Sequence, residues 1–254
     1  GARPGLPPLA DGDGRRRISS AAMPFPLIAL QTFGLLKGLP PEALAAAGER
    51  MHEATFARRA VMLKKGEPSH ALGFLIEGRL QAVDFTLDER EVGLYFVEPG
   101  DYFGELSIVD GEPNAEFIIS VARSRAAFLP REVARRLMFE SPAVAERVTT
   151  RLARRLRSTA SQRRLLGLPS PFQRLCAQLL MLIEHSNADQ PVVLAPPTHQ
   201  EIAIMIDASR ETVTRAFQAL QAQRILRRDG DLLRIENLGQ LRAIAEGKRE
   251  APRP

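Results

Sequence analysis

Residues 198–221 read THQEIAIMIDASRETVTRAFQALQ, and this stretch decides the architecture of the C-terminal part of the chain. Thr198 and Glu201 have the spacing of a capping box, in which each residue's side chain accepts a hydrogen bond from the other's backbone amide. Asp207 follows as a tight turn, because aspartate tolerates a left-handed backbone better than most residues. Ser209 is a natural N-cap for a second helix. The stretch therefore predicts two short helices joined by a tight turn.

The second of these helices is amphipathic. Apolar residues at steps of three and four predict a buried face made of Val213, Ala216, Phe217 and Leu220. The polar face consists of Arg210, Glu211, Thr214 and Gln218, with Arg215 at its edge. Such a face fits a solvated helix with a Glu–Arg pair. It also fits the major groove of DNA, since arginine donates two parallel bonds to guanine and glutamate accepts from cytosine.

The residues that follow favour the DNA-binding interpretation. The run ILRRDGDLLRIEN at 225–237 predicts a β-hairpin with its turn at Asp229-Gly230. A winged helix-turn-helix has these features in this order: a capping box, a tight turn, a helix with a polar N-terminal face, and a hairpin.

A long helix precedes this module. From Ser141 to Leu166 the chain has no internal glycine, and Pro142 is its only proline, at a good first-turn position. Its apolar positions form one narrow stripe made of Val144, Val148, Leu152, Leu156 and Thr159. A narrow stripe on a long helix predicts pairing with a second helix. GLPSP at 167–171 then breaks the helix and is the predicted hinge between domains.

The N-terminal half has the period of short strands. Runs such as ALGFLIEG (71–78), LQAVDF (80–85) and VGLYFV (92–97) are punctuated by glycines, which predicts an antiparallel barrel or roll. Residues 36–57 predict short helices. The predicted organisation is a disordered tail at 1–23, a sensor domain at 24–140, a dimerisation helix at 141–167, a DNA-binding domain at 168–246 and a tail at 247–254.

Composition narrows the classes of function. A formal net charge of +5 and a pI near 10.0 permit a polyanionic partner. The single cysteine, Cys176, excludes an internal disulfide, a cysteine zinc site and a cysteine-ligated iron–sulfur cluster. The apolar run at 25–30 is too short to span a membrane, and no catalytic motif is present. We expect a cytoplasmic protein that is not an enzyme and has no metal site or covalent cofactor.

Three segments resemble one family. HQEIAIMIDASRETVTRAFQAL, EPGDYFGELS and LARRLRSTAS are similar to the helix-turn-helix, β-roll and dimer helix of the CRP/FNR family of bacterial transcription regulators. The resemblance extends from about residue 36 to residue 245. It implies an α+β fold with an N-terminal cyclic-nucleotide-binding-like β-roll, a long dimerisation helix and a C-terminal winged helix-turn-helix.

The same resemblance implies a homodimer on a palindromic, TGTGA-like DNA site, with RNA polymerase as a further partner and no membrane association. The residues expected to contact DNA are Arg210, Glu211, Arg215, Ser209, Thr214, Thr198, His199 and Gln200.

The effector is the open part of the resemblance. Gly104, Glu105, Leu106 and Ser107 match the family segment that contacts the ribose of a cyclic nucleotide. Where relatives have an Arg-Ser-Ala triplet for the phosphate, this chain has Asn114, Ala115 and Glu116. Loss of that arginine removes a charge-assisted bond and disfavours cyclic AMP.

Other basic residues near the junction of the β-roll and the long helix suit a larger dianion, because arginine binds phosphates and stacks on guanine. We therefore expect cyclic di-GMP ahead of cyclic AMP. The expected ligand residues, besides Gly104–Ser107, are Arg131, Arg135, Arg154, Arg155 and Thr159. Two alternatives stay open: a regulator that binds DNA without a ligand, and a cyclic-nucleotide-fold module of another assembly.

Overall fold

A computed structural model describes residues 25–86, 90–184 and 191–249 of the chain. The predicted tail at 1–23 lies outside the described residues, as does the predicted C-terminal tail from residue 250 onward. The described residues divide into two compact units: the first extends to Leu156 without Glu91–Gly93, and the second consists of Glu91–Gly93 and the described residues from Arg157 onward.

The first unit contains two antiparallel sheets and the helices around them. Its helices are α1 (Leu27–Leu30), α2 (Pro41–Arg50), α3 (Glu105–Asp110), α4 (Arg131–Glu140) and the first part of α5 (Pro142–Leu166). Its strands are β1 (His52–Phe56), β2 (Val61–Leu63), β3 (Ala71–Glu77), β4 (Leu80–Phe85), the part of β5 (Glu91–Val97) from Leu94 onward, β6 (Tyr102–Phe103), β7 (Phe117–Ser120) and β8 (Ser124–Pro130). The strand orders are β1-β8-β3-β6 and β2-β7-β4-β5.

The predicted roll is therefore present, and one predicted helix is wrong. Residues 52–56 form strand β1 instead of continuing a helix, because they pair with β8 in a register that sets Ala54 opposite Ala126. Fully buried side chains such as Phe74 and Phe103 fill the space beneath the sheets, and each contributes roughly 1.5–3 kcal/mol of hydrophobic stabilisation.

The apolar stripe of α5 does not act as one seam. Val144 and Val148 are buried in the core of the first unit, and Leu152 packs against the same core. Leu156, by contrast, is 73% exposed. The first half of the stripe thus packs against the β-roll of the same chain. The 3.6-residue period shows that this face is buried, but it does not distinguish packing on the β-roll from pairing with another helix.

The second unit contains the end of α5 and a helix-turn-helix with a small sheet. Its other elements are α6 (Pro171–Glu184), β9 (Val192–Leu194), α7 (His199–Met205), α8 (Arg210–Ala222), β10 (Leu226–Asp229), β11 (Leu232–Ile235) and α9 (Leu238–Ala245). The sheet has the order β10-β11-β9, and strand β9 was not anticipated from the sequence. The unit begins at Arg157, upstream of the hinge predicted at 167–171. Among the described residues, no helix is long and apolar enough to cross a membrane.

Candidate functional site

The helix-turn-helix starts with the predicted capping box. Thr198 Oγ1 accepts a hydrogen bond from the Glu201 amide at 3.3 Å, and Glu201 Oε2 accepts from the Thr198 amide at 2.7 Å. These bonds satisfy two donors that a helix start leaves without intrahelical partners. They fix where α7 begins.

The turn between α7 and α8 has the left-handed residue that the sequence predicts. Asp207 has φ = 49°. Arg174, on α6, braces this turn by donating to the carbonyl oxygens of Ile206 at 2.8 Å and Asp207 at 3.0 Å. Gln162, at the end of α5, donates to the Met205 carbonyl at 2.5 Å. Neither bracing residue is predictable from the local sequence, since both are far from the turn along the chain.

Helix α8 buries one face and presents the other. Ser209 caps it by accepting from the Thr212 amide at 3.1 Å. The predicted apolar face is confirmed, with Val213, Ala216, Phe217 and Leu220 all buried. Arg210, Glu211 and Arg215 are exposed. Two arginine side chains and a carboxylate therefore extend from the N-terminal half of a helix whose opposite face is packed into the unit.

His199 and Thr214 bond to each other instead of both facing outward. His199 Nδ1 lies 2.9 Å from Thr214 Oγ1, and this hydroxyl donates to the Arg210 carbonyl at 2.9 Å. Because a hydroxyl has one proton, His199 Nδ1 carries the N–H and donates to Thr214. The imidazole stacks on Phe217 with the ring centroids 4.6 Å apart.

The histidine also has an altered acidity. Burial lowers the pKa of His199 below 6.5, and the charges of Arg228 and Arg210 lower it further. The ring borders a cavity of about 140 Å³ whose walls also include Phe217 and Arg228. His199 thus belongs to the packing between α7 and α8 while it remains close to the exposed arginines.

The remaining predicted contacts, Thr198 and Gln200, are exposed at the start of α7, and Ser209 is exposed at the start of α8. The wing differs slightly from its prediction. Asp229 pairs with Leu232, so the two-residue turn is Gly230-Asp231 instead of Asp229-Gly230. Gly230 has φ = 59°, the backbone that such a turn requires.

The second candidate site lies in the first unit at the start of α3. Gly104 has φ = 84° and precedes Glu105, whose side chain is 1% exposed. The predicted segment and the divergent triplet meet around one pocket lined by Leu63, Gly104, Glu105, Leu106, Asn114, Ala115 and Glu116. Its cavity volume is only about 10 Å³.

Side chains of the protein itself fill this pocket. Arg155 Nη1 donates to Glu105 Oε1 at 2.5 Å and lies 3.9 Å from Glu116 Oε1. Tyr95 donates its hydroxyl proton to Glu116 Oε1, and the Arg155 guanidinium lies 3.8 Å from the Tyr95 ring centroid. We call Glu105, Arg155, Glu116 and Tyr95 the pocket cluster.

Burial dominates the acidity of this cluster. It raises the pKa of Glu116 above 4.5, although the bond from Tyr95 and the charge of Arg155 lower it. Burial also raises the pKa of Tyr95 well above 10.0. Tyr95 therefore keeps its proton and acts as a donor to Glu116.

Asn114 occupies the position at which the resemblance to the CRP/FNR family implies an arginine. Asn114 is buried, and its Oδ1 accepts from Ser69 Oγ at 2.7 Å while its Nδ2 donates to the Lys64 carbonyl at 3.2 Å. Ser107 is also buried and accepts from the Ser69 amide at 3.1 Å. Asn114 thus ties the loop to its neighbours and extends no charge into the pocket.

The other predicted ligand residues are dispersed. Arg131 donates to the Ser69 carbonyl at 3.0 Å, and Arg135 donates to the Ile108 carbonyl at 2.6 Å. Arg154 and Thr159 are exposed on α5. The structure brings Glu105 and Arg155 together, and it uses Arg131 and Arg135 to hold backbone carbonyls of the first unit.

Comparisons with known proteins match both sites. The Cyclic nucleotide-binding domain model matches residues 53–141, and the Crp-like helix-turn-helix domain model matches residues 173–244. The chain is 30% identical over 211 residues to the CRP-like cAMP-activated global transcriptional regulator of Mycobacterium tuberculosis strain H37Rv, with 82% of this chain and 94% of the relative covered. It is 27% identical over 213 residues to the Cyclic AMP receptor protein of Thermus thermophilus, with 84% and 97% covered.

Solved structures agree on the fold. FixK2 from Bradyrhizobium japonicum has a TM-score of 0.66 at 20% identity, covering 76% of this chain and 96% of its own. The c-di-GMP responsive global regulator CLP of Xanthomonas campestris has a TM-score of 0.57 at 20% identity, covering 73% and 94%. These likenesses confirm the predicted arrangement of a cyclic-nucleotide-binding-like β-roll followed by helices and a winged helix-turn-helix.

The curated relatives are transcription regulators and not enzymes, in agreement with the prediction. Both family models, the identity along most of the chain and the shared fold lead to one assignment. The chain belongs to the CRP/FNR family of bacterial transcription regulators.

Proposed function

We propose that this regulator binds a palindromic, TGTGA-like DNA site as a homodimer and reads each half-site with Arg210, Glu211 and Arg215. The observation that supports the proposal is the N-terminal half of α8, where these three side chains are exposed above a buried apolar face. Arginine and glutamate in that position match the donors and acceptors of G·C pairs in the major groove. Thr198, His199, Gln200, Ser209 and Thr214 complete the proposed interface.

The exposed face of α5 supports the homodimer. Thr149, Ala153, Leu156 and Ala160 are exposed at steps of four, three and four, which is the spacing of a coiled-coil seam. A two-fold pair of recognition helices reaches half-sites about one helical turn apart, roughly 34 Å. Because bacterial DNA lies in the cytoplasm, we propose a cytoplasmic location for this regulator, and RNA polymerase as its further partner.

Fluorescence anisotropy with labelled duplexes tests the DNA-binding proposal. We expect strong salt dependence with the palindrome, because each neutralised phosphate releases counterions. Arg210→Ala should lose about 1–3 kcal/mol of discrimination at one base pair. Arg242→Ala, an exposed arginine on α9 of the same unit, is the matched control. If Arg210→Ala weakened all sequences equally, Arg210 would be a phosphate contact and the proposed base readout would be wrong.

For the effector, the closed pocket favours DNA binding that needs no ligand. A cavity of about 10 Å³ stands where a cyclic nucleotide would have to enter, whereas pockets for drug-sized ligands measure about 300–1,000 Å³. Cyclic di-GMP is the second candidate, supported by Arg154, which is exposed on α5. Three of the four arginines proposed for it, Arg131, Arg135 and Arg155, already donate to protein oxygens.

Calorimetric titration of cyclic di-GMP and cyclic AMP at matched salt distinguishes these cases. Saturable heat with cyclic di-GMP alone would support the second candidate. No saturable heat with either nucleotide, together with a DNA affinity in the anisotropy assay that neither nucleotide changes, would support ligand-independent binding. Saturable heat with cyclic AMP at micromolar concentration would contradict both.

A further inference from the structure

The pocket at the start of α3 already holds a negative charge supplied by the protein. Glu105 and Glu116 both line it, and one guanidinium, that of Arg155, contacts the two carboxylates at 2.5 Å and 3.9 Å. With both carboxylates ionised, the pocket cluster has two negative charges and one positive charge. An anion that entered would meet a cation whose charge is already compensated.

The volume of the pocket, like its charge, disfavours an anionic ligand. The Glu116 side chain is 16% exposed and is held at its carboxylate by Tyr95 and Arg155. Asn114 is held on the other side of the loop by Ser69 and the Lys64 carbonyl. The remaining volume of about 10 Å³ is that of one water molecule.

One atom in the pocket points to the chemistry that would fit. Glu105 Oε2 is buried and has no hydrogen-bond partner among the described residues. A buried carboxylate oxygen needs a donor, so a water or a hydroxyl group suits this atom. A phosphate oxygen, which is an acceptor and carries negative charge, does not.

We propose that Glu116 is the specificity-determining residue of this pocket and that its carboxylate occupies the place of an anionic ligand at Arg155. The carboxylate excludes cyclic mononucleotides by charge and by volume, and it joins α5 to the loop after α3 with no ligand bound. This inference deepens the proposed function, because it supplies the reason for ligand-independent DNA binding.

Cyclic AMP, used as a probe anion, tests the proposal in the full-length protein by isothermal titration calorimetry. We expect no saturable heat from the wild type at millimolar cyclic AMP. Glu116→Ala removes the charge and opens space, and we expect it to give saturable heat at a concentration at least about 10-fold below the highest one at which the wild type shows none, which is the range of one charge-assisted bond. Glu112→Ala, an exposed glutamate of the same loop, removes the same charge and should behave as wild type.

Glu116→Gln separates charge from volume and keeps the test decisive if the alanine variant fails to fold. It retains the shape of the side chain, so we expect a gain in affinity smaller than that of Glu116→Ala but larger than that of Glu112→Ala. Circular dichroism and thermal melting establish folding for each variant. Micromolar cyclic AMP binding by the wild type, or folded Glu116 variants that bind no better than wild type, would overturn the proposal.

The DNA assay keeps this inference distinct from the proposed function. A wild-type protein that binds cyclic AMP and still reads the palindrome contradicts the role of Glu116 alone. A protein that excludes cyclic AMP, gains binding in Glu116→Ala and yet ignores DNA contradicts the DNA-binding proposal alone.

Discussion

Replacing Arg155 with alanine should strongly destabilise the first unit, because it leaves Glu105 as a buried carboxylate without its cation. The Glu105 side chain is 1% exposed and that of Arg155 is 15% exposed, so solvent screens their pair very little. Removing one partner of a buried ion pair costs roughly 3–5 kcal/mol. In a chain of this size, each kcal/mol lowers the melting temperature by about 2–4 °C. We therefore expect a fall of roughly 6–20 °C.

Arg154→Ala is the matched control, since Arg154 is the neighbouring residue on α5 but is exposed. It should change the free energy of unfolding by no more than about 0.5 kcal/mol. The assay can isolate the first unit, because the chain has no tryptophan and its 2 tyrosines, Tyr95 and Tyr102, both lie there. Urea unfolding followed by tyrosine fluorescence measures that unit.

A second variant identifies the cause of the destabilisation. If the uncompensated charge of Glu105 is responsible, Glu105→Gln should restore part of the lost stability in the Arg155→Ala background, and the double-mutant cycle should show coupling. Equal stability of Arg155→Ala and Arg154→Ala would refute the reasoning. Additivity would also refute it: the double variant would then be less stable than Arg155→Ala by the same free energy that Glu105→Gln costs in the wild type.

Four further results are expected. Because burial raises the pKa of Glu116 above 4.5, the native state binds that proton more tightly than the unfolded state does. The free energy of unfolding of the wild type, measured with urea, should therefore fall relative to that of Glu116→Gln as pH rises from 4.5. A difference between the two proteins that stays constant with pH would contradict this prediction. The pKa of His199, measured by NMR titration of its ring protons, should lie below 6.5, so its contribution to stability is lost as pH falls through that lower value; a measured pKa above 6.5 would show that the ring is not desolvated. Cys176 is buried and its pKa is raised to about 12, so a disulfide reagent at pH 8 should label it only after urea is added, and rapid labelling of native protein would be inconsistent with this packing. Leu156→Glu should shift the sedimentation profile toward monomer, whereas Arg154→Glu on the opposite face should not; equal behaviour would remove Leu156 from the proposed seam.

Local sequence patterns were sufficient wherever a structure depends on residues a few positions apart. The capping box of Thr198, the left-handed turn at Asp207 and the N-cap at Ser209 are confirmed, because each depends on backbone geometry within one helical turn. The buried face of α8 follows from the same short period. These short-range features are sufficient to predict the helix-turn-helix without any long-range contact.

Patterns of the same kind failed where distant residues compete for a segment. Strand β1 exists because β8, far along the chain, offers it a partner. The stripe of α5 predicted pairing with another helix, but the core of the first unit takes Val144 and Val148. An apolar stripe shows that a face will be buried and does not show against what.

The helix-turn-helix, the charge of its exposed face and the asparagine at position 114 can all be inferred from the order of residues along the chain. The contacts that fill the pocket at the start of α3 depend on the folded chain, because Arg155 bonds to Glu105 across 50 positions and Tyr95 bonds to Glu116 across 21. The reason is physical: a side chain's charge is read directly from the sequence, but which opposite charge neutralises it depends on distances that exist only after the sheets and α5 have packed together.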